Sequence, residues 1–331
     1  MNLLFWPRPF ASTTIGTVNG AVFKTADDTA VAHAQSTTPF IMAHAWDNHT
    51  GFGSKFSDPA SLPAGGGQSV IWNAAGDTIA IAHTTTPFVT VYPWSSGFGT
   101  KYADPSTPPA GNATDVAFHP NSNAIAVSHN TTPFVGAWAW SSGFGTKYGN
   151  PGTLPASTGN GVTWSPSGNV IAVAHNTTPF ISVYPWNSVS GFGTKFSNPG
   201  TLPAGTGNDV AFNQAGTCIA VAHATSPFIS VYPWDDVTGF GSKFSDPGTL
   251  PPSACTDVAF SPCGQYIAVT HGTSPFLSIW QWNDSAGFGS KLDDPAYSPT
   301  GTPASVAFNS TGIALVTGGG LRGLVRLVVG R

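Results

Sequence analysis

The chain has 331 residues, a net charge of −4 and only 8% charged side chains. Those few charges are dispersed, which excludes the basic stripe of a nucleic-acid binder, and no run approaches the ~20 apolar residues of a membrane-spanning helix. All fifteen acidic residues are aspartate, and with Gly 39 and Pro 29 the composition argues for short strands and many turns rather than helices.

The opening segment, MNLLFWPRPF, has neither the charged start nor the long apolar stretch of a signal peptide. A repeating unit then begins. Its first copy, TAVAHAQSTTPFIMAHAW, ends at Trp46, and tighter copies end at Trp94, Trp140, Trp186, Trp234 and Trp282. Ile171 to Trp186 reads IAVAHNTTPFISVYPW. Histidines His33, His83, His129, His175, His223 and His271 mark the register, spaced 50, 46, 46, 48 and 48. A period in the forties is the signature of a repeat architecture. Within a copy, Ile171 and Val173 alternate with Ala172 and Ala174, the period of a strand. Pro179 belongs at the turn or the first position of the next strand, where its missing N–H does least harm.

Each repeat divides into four strands. A short first strand, such as Asp115–Phe118 or Asp209–Phe212, leads through a turn such as Ser165–Gly168 into the His-ending second strand. The Thr-Thr-Pro-Phe turn opens the third. A loop ending in Gly-Phe-Gly (Gly51, Gly97, Gly143, Gly191, Gly239, Gly287) precedes a fourth strand that starts at Lys55, Lys101, Lys147, Lys195, Lys243 or Lys291. Four antiparallel strands in this span make a propeller blade. A seventh unit begins at Ser305–Phe308, with Ile313–Thr317 as second strand and Leu321–Val329 as third. Its missing fourth strand aligns with roughly Leu3–Phe10. The expected fold is all-β, a seven-bladed β-propeller with four antiparallel strands per blade, the last blade closed by the N-terminal strand. It forms one domain over 1–331: 1–10 is the outer strand of blade 7, and blades 1 to 7 cover 18–64, 65–110, 111–156, 157–204, 205–252, 253–300 and 301–331.

The Trp-Asp pairs at Trp46-Asp47 and Trp234-Asp235, and VAFSPCGQYIAVTH over Val258–His271, give this layout a resemblance to the WD40-type β-propeller superfamily. The repeat A-V-A-H-x-[ST]-[ST]-P-[FY]-[IL]-x-[VI]-Y is similar to a propeller variant encoded by bacteriophages, over six of the seven units. The chain lacks the Gly-His dipeptide that precedes the first strand in WD40 repeats. The resemblance implies a propeller fold and, more narrowly, a virion component.

The histidines invite a metal ring, but zinc needs ligands converging at about 2.0–2.1 Å, and one histidine per blade is better read as an anchor for the turn of its own blade. The six fourth-strand lysines read as edge protection, with a cation circle for an anionic partner as the alternative. Asp115, Asp209 and Asp257 open first strands beside the channel. They read as turn caps, with Ca²⁺ binding as the alternative. The six tryptophans read as core. Cys218, Cys255 and Cys263 read as free thiols, in keeping with a soluble protein made in a reducing cytoplasm without a signal peptide; assembly onto a virus particle remains an option. No catalytic motif stands out, so neither enzymatic activity nor a catalytic residue, cofactor or metal is expected.

The expected function is a non-enzymatic scaffold for protein–protein contact, such as a capsid decoration, tail or fibre protein. Its partners would be other structural proteins, with no nucleic acid and no membrane insertion. A glycan or host-surface ligand is the alternative, and a channel-mouth enzyme the third. The candidate interaction loops are the four longer connections after tryptophan: Asp47, Asn48, His49 and Thr50; Asn187, Ser188, Val189 and Ser190; Asp235, Asp236, Val237 and Thr238; Asn283, Asp284, Ser285 and Ala286. Blades two and three have two-residue loops there, which leaves a notch on that side.

Overall fold

The computed structural model describes residues 17–294, 301–312 and 314–318. Each copy of the repeat folds into one antiparallel sheet with its strands in sequence order. The inner strands are Val18–Phe23, Gly67–Trp72, Ala113–Phe118, Gly159–Trp164, Gly207–Phe212 and Cys255–Phe260. The second strands end at the repeated histidines in blades two to six, as in Val170–His175, but at Gln35, two residues beyond His33, in blade one; the third run into the repeated tryptophans, as in Ile181–Asn187. Every residue of Val170–His175 is buried, because a blade is covered on both faces by its neighbours. That is why Ile and Val can alternate with Ala rather than with polar residues.

The turn between second and third strands is the same six times. The bond before Pro39, Pro87, Pro133, Pro179, Pro227 and Pro275 is cis, and each following phenylalanine is left-handed, as Phe180 is with φ of 69°. In blade four the Phe180 N–H donates to the Thr177 carbonyl at 2.8 Å, and the His175 N–H donates to the Phe180 carbonyl at 3.0 Å. A proline at the third of four residues with this bond geometry is a type VI turn. The fourth strand lies earlier than the sequence suggests. It starts at Gly-Phe-Gly and ends at lysine in blades one, three and six, as in Gly51–Lys55 and Gly287–Lys291; it is only Gly191–Phe192 and Gly239–Phe240 in blades four and five, and in blade two a single bridge between Trp94 and Phe98.

The described residues form six blades, not the expected seven. After blade six the described residues add a hairpin, Pro303–Phe308 with Ala314–Gly318. It lies between blade six and blade one: the Val306 N–H donates to Asp257, and the Ser305 hydroxyl bonds the Ala21 backbone. The physical reason is in the sequence. The cis-proline turn, its histidine and the tryptophan, which join second to third strand in every blade, occur for the last time at His271–Trp282, and Thr317 stands at the next histidine position. The expected N-terminal outer strand and the Leu321–Val329 strand lie outside the described residues.

The core sits at the junctions between blades. Trp234 meets Phe196 of the preceding blade edge-on at 5.1 Å, its own inner-strand Phe212 at 5.7 Å and its own Phe240 at 4.9 Å. The pairs Phe56–Trp94, Tyr102–Trp140, Tyr148–Trp186 and Phe244–Trp282 repeat that cross-junction contact at 4.8–5.3 Å. The aromatic residue that follows each of the first five fourth-strand lysines is therefore a peg into the next blade, a place Leu292 takes after Lys291. The inner strands approach as closely: a Cβ on Gly159 would lie 2.6 Å from the Phe134 carbonyl of the preceding blade, so a glycine is required there. Cys218 and Cys255 are buried free thiols and Cys263 an exposed one.

Removing a junction tryptophan should cost more than any surface change. Trp234→Ala is expected to lower stability by about 3–5 kcal/mol, read by chemical denaturation. A loss below about 1 kcal/mol, the scale of ordinary surface substitutions, would place the stability elsewhere.

Candidate functional site: the channel ring and the loop face

Each inner strand carries a bulge at its second residue: Asn19, Gln68, Thr114, Asn160, Asn208 or Thr256. A bulge re-aims a side chain, and here it aims it at the next blade. Asn19 Nδ2 donates to the Gly67 carbonyl at 2.7 Å, Thr114 Oγ1 to Gly159 at 2.6 Å, Asn160 Nδ2 to Gly207 at 2.7 Å and Asn208 Nδ2 to Cys255 at 2.6 Å. Thr256 reaches Pro303 of the hairpin at 3.0 Å. Only Gln68 turns back on its own strand.

The residue after the bulge faces the channel. Asp115 accepts from its own Val116 N–H and from the Val162 N–H of blade four, both at 2.8 Å. Asp209 accepts from Val258 of blade six at 3.2 Å, and Asp257 from Val306 of the hairpin at 2.8 Å. The carboxylates thus bridge blades. Gly161 is in the same ring, and a Cβ there would lie 2.6 Å from Asp209 Oδ1, so its bareness makes room for that carboxylate. Burial pushes the Asp115 carboxyl up to about 6, against the hydrogen bonds it accepts. Burial also raises Asp209 well above the usual range, with the neighbouring Asp257 charge adding to it, and the two carboxyls hydrogen-bond to each other. Two such groups share a proton rather than both ionise. Among the described residues, no group of three or more His, Cys, Asp or Glu side chains is placed to hold a metal ion.

The histidines point into their own blades. The Nε2 atoms of His83, His175, His223 and His271 lie 3.0 Å from the hydroxyls of Thr90, Ser182, Ser230 and Ser278 on the third strand. His271 Nδ1 is 2.8 Å from the Thr273 carbonyl at the start of the turn. A carbonyl only accepts, so Nδ1 carries the proton and Nε2 accepts from the serine. Burial pushes His83, His129, His175 and His223 down to about 4, and His33 to about 3. In blade three Gly136 replaces the hydroxyl residue, and in blade one Gln35 stands at the histidine position and Met42 at the hydroxyl position.

The lysines are engaged as well. Lys55 pairs with Asp58 at 2.5 Å and Lys101 with Asp104 at 2.7 Å, while Lys243 and Lys291 pair with Asp246 and Asp294. Lys147 and Lys195 donate to Asn150 and Asn198 instead. Each lysine thus meets the residue three positions on.

The longer loops after tryptophan are ordered by their first residue. Asp47 Oδ1 accepts from the His49 and Thr50 N–H groups at 2.9 and 2.7 Å; Asn187, Asp235 and Asn283 do the same in their blades. These are Asx turns. The second residue caps the indole: Trp46, Trp234 and Trp282 Nε1 donate to Asn48, Asp236 and Asp284 at 2.7–2.8 Å. The same side chain reaches the first turn of the preceding unit. Asp284 Oδ2 accepts from Asn213 Nδ2 at 2.8 Å and Thr217 Oγ1 at 3.1 Å, Asp236 from Ser167 at 2.5 Å, and Asn48 from Asn309 of the hairpin at 2.7 Å. In blade four Ser188 stands there, and the buried Trp186 N–H has no acceptor. The tips protrude: Val189 and Val237, at the same place in neighbouring blades, are 89% and 85% exposed.

Blades two and three lack these caps. Where the blade-three loop is only Ser141-Ser142, a cavity of about 690 Å³ opens between that loop and the first turns of blades two and three. Asn73, the counterpart of Asn213, turns its amide to Asp77 Oδ1 of its own turn at 2.8 Å. Asn123 and Trp140 line the cavity beside them. Loop lengths show the notch in the sequence; Asp77 and Asn123 carry no repeat signal and were not singled out from it. The bulge residues were missed for a different reason, since period-two reading has no place for an extra residue.

Asp115 gives a pH test. Its carboxyl titrates higher in the fold than the ordinary 3.8, so its contribution is complete below that value and is lost as pH rises through about 6. The stability of Asp115→Asn relative to the parent should therefore increase by about 2–3 kcal/mol from about pH 4 to about pH 7, read from denaturation curves along a pH series. A difference that stays flat with pH would remove the carboxylate from the buried ring.

No model of a known protein family matches the chain, and no curated protein is significantly similar to it. Among the described residues, no helix is long and apolar enough to cross a membrane.

Proposed function

We propose that the protein is a non-enzymatic interaction scaffold whose partner binds the face carrying the loops after tryptophan. The observation that carries this reading is the protruding pair Val189 and Val237, two apolar tips on Asx-ordered loops of adjacent blades. The repeated polar residues support it from the other side. Histidines, lysines and channel aspartates are spent on turns, edges and junctions, so the face differs from blade to blade only in its loops. With each fourth-strand lysine already beside an aspartate or asparagine, the partner is met through shape and polar contacts, and attachment depends little on salt. The narrower reading, a structural component of a virus particle, rests on the similarity of the repeat to phage-encoded propellers.

Photo-cross-linking in the producing cells tests the face. A photoreactive residue at Val189 or Val237 is expected to give a discrete adduct that persists from roughly 0.1 to 1 M salt, a range over which exposed charges become screened. Leu62 and Leu250 in the connections at the opposite end, 38% and 39% exposed, should give none. Adducts from Leu62 or Leu250 alone, or adducts lost in moderate salt, would overturn the assignment.

A further inference from the structure

In blade one, the protein fills the space beneath its loop with a carboxamide. Asn48 Oδ1 accepts from the Trp46 N–H at 2.7 Å and from Asn309 Nδ2 at 2.7 Å, and its Nδ2 faces Asp28 Oδ2 at 3.5 Å. In blades five and six a carboxylate takes that place, where the preceding turn offers donors from Ser167 or from Asn213 and Thr217. The junction of blades two and three keeps the surroundings and lacks the occupant. Its loop is two residues shorter, no protein group among the described residues accepts the Trp140 indole N–H, and the cavity stands where the cap would be.

The groups left facing that cavity are selective. Trp140 supplies a donor and the Asp77 carboxylate an acceptor. Asn73 Nδ2 gives one of its two hydrogens to the Asp77 carboxylate, where Asn213 gives one to the neutral Thr217 hydroxyl and the other to Asp284. A carboxylate entering there would meet Asp77 with like charge. A primary carboxamide matches both, its oxygen toward the indole and an N–H toward Asp77. We propose that the notch between blades two and three docks an asparagine or glutamine side chain presented on a loop of a partner polypeptide, replacing in trans what Asn48 does in cis. The partner's existence rests on the scaffold reading, but the site's chemistry can be tested without it.

The probe is N-acetyl-asparagine N-methylamide, titrated at millimolar concentration into the ¹⁵N-labelled full chain, with the Trp140 indole N–H identified by its loss in Trp140→Phe. The expected result is a saturable shift of that one indole signal, absent with the aspartate analogue. In Asp77→Asn, an exposed position that leaves the core untouched, the preference for the amide over the acid should shrink several-fold. No shift with the asparagine probe, an equal shift with the aspartate analogue, or a shift with N-acetylglucosamine alone would each overturn the proposal; the last would assign the notch to a saccharide. Failure here with loop-face adducts intact would leave the scaffold reading standing, and the reverse outcome would leave the amide site without that partner.

Discussion

Each blade leans on its predecessor through a tryptophan, and most of the architecture serves that contact. The indole of Trp234 is held edge-on by Phe196 from the blade before and by Phe212 and Phe240 from its own. Edge-to-face pairs of this kind contribute about 0.5–1.5 kcal/mol each beyond burial. The ring is apolar on its faces but carries one N–H, which must find an acceptor or meet water. Loop length decides which. Four-residue loops with Asn or Asp in second place deliver the acceptor and tie down the preceding turn with the same side chain. Two-residue loops leave the junction open at the rim.

The same economy governs the charged and titratable groups. Bulges turn inner-strand Asn and Thr side chains across each junction, and channel aspartates accept N–H donors from the next blade. Burial keeps the repeated histidines neutral, the Thr273 carbonyl fixes the tautomer of His271, and lysines close on residues three positions on. A ring built this way has strong internal polarity and few free charges at its rim. What distinguishes one sector from another is then loop shape: protruding valines over blades four and five, a polar notch between blades two and three.

The sequence made much of this legible because the repeat multiplies every signal six times. His175, Trp186 and the Thr-Thr-Pro-Phe turn stand out by register, and the hydroxyl seven residues after most histidines, such as Ser182, was there to be read as its partner. The fourth strand was placed too late because Gly-Phe-Gly has the composition of a loop, although its backbone pairs with the tryptophan strand. The count of blades went astray at Ser305–Phe308. Those residues match an inner strand and do form one, but a matching inner strand does not bring the turn, histidine and tryptophan that complete a blade. Asp77 and Asn123 belong to single blades, and only the fold brings them to one cavity.

The account turns on the idea that the tryptophan N–H is capped from within where a four-residue loop carries Asn or Asp in second place, and lacks that cap elsewhere. Replacing Ser141-Ser142 by the blade-one loop sequence Asp-Asn-His-Thr tests this directly, with hydrogen exchange of the Trp140 indole and thermal melting as readouts. The new asparagine should cap Trp140, slow the exchange of its N–H and raise the melting temperature by a few degrees. An indole that exchanges as fast as before, in a protein no more stable, would contradict the account.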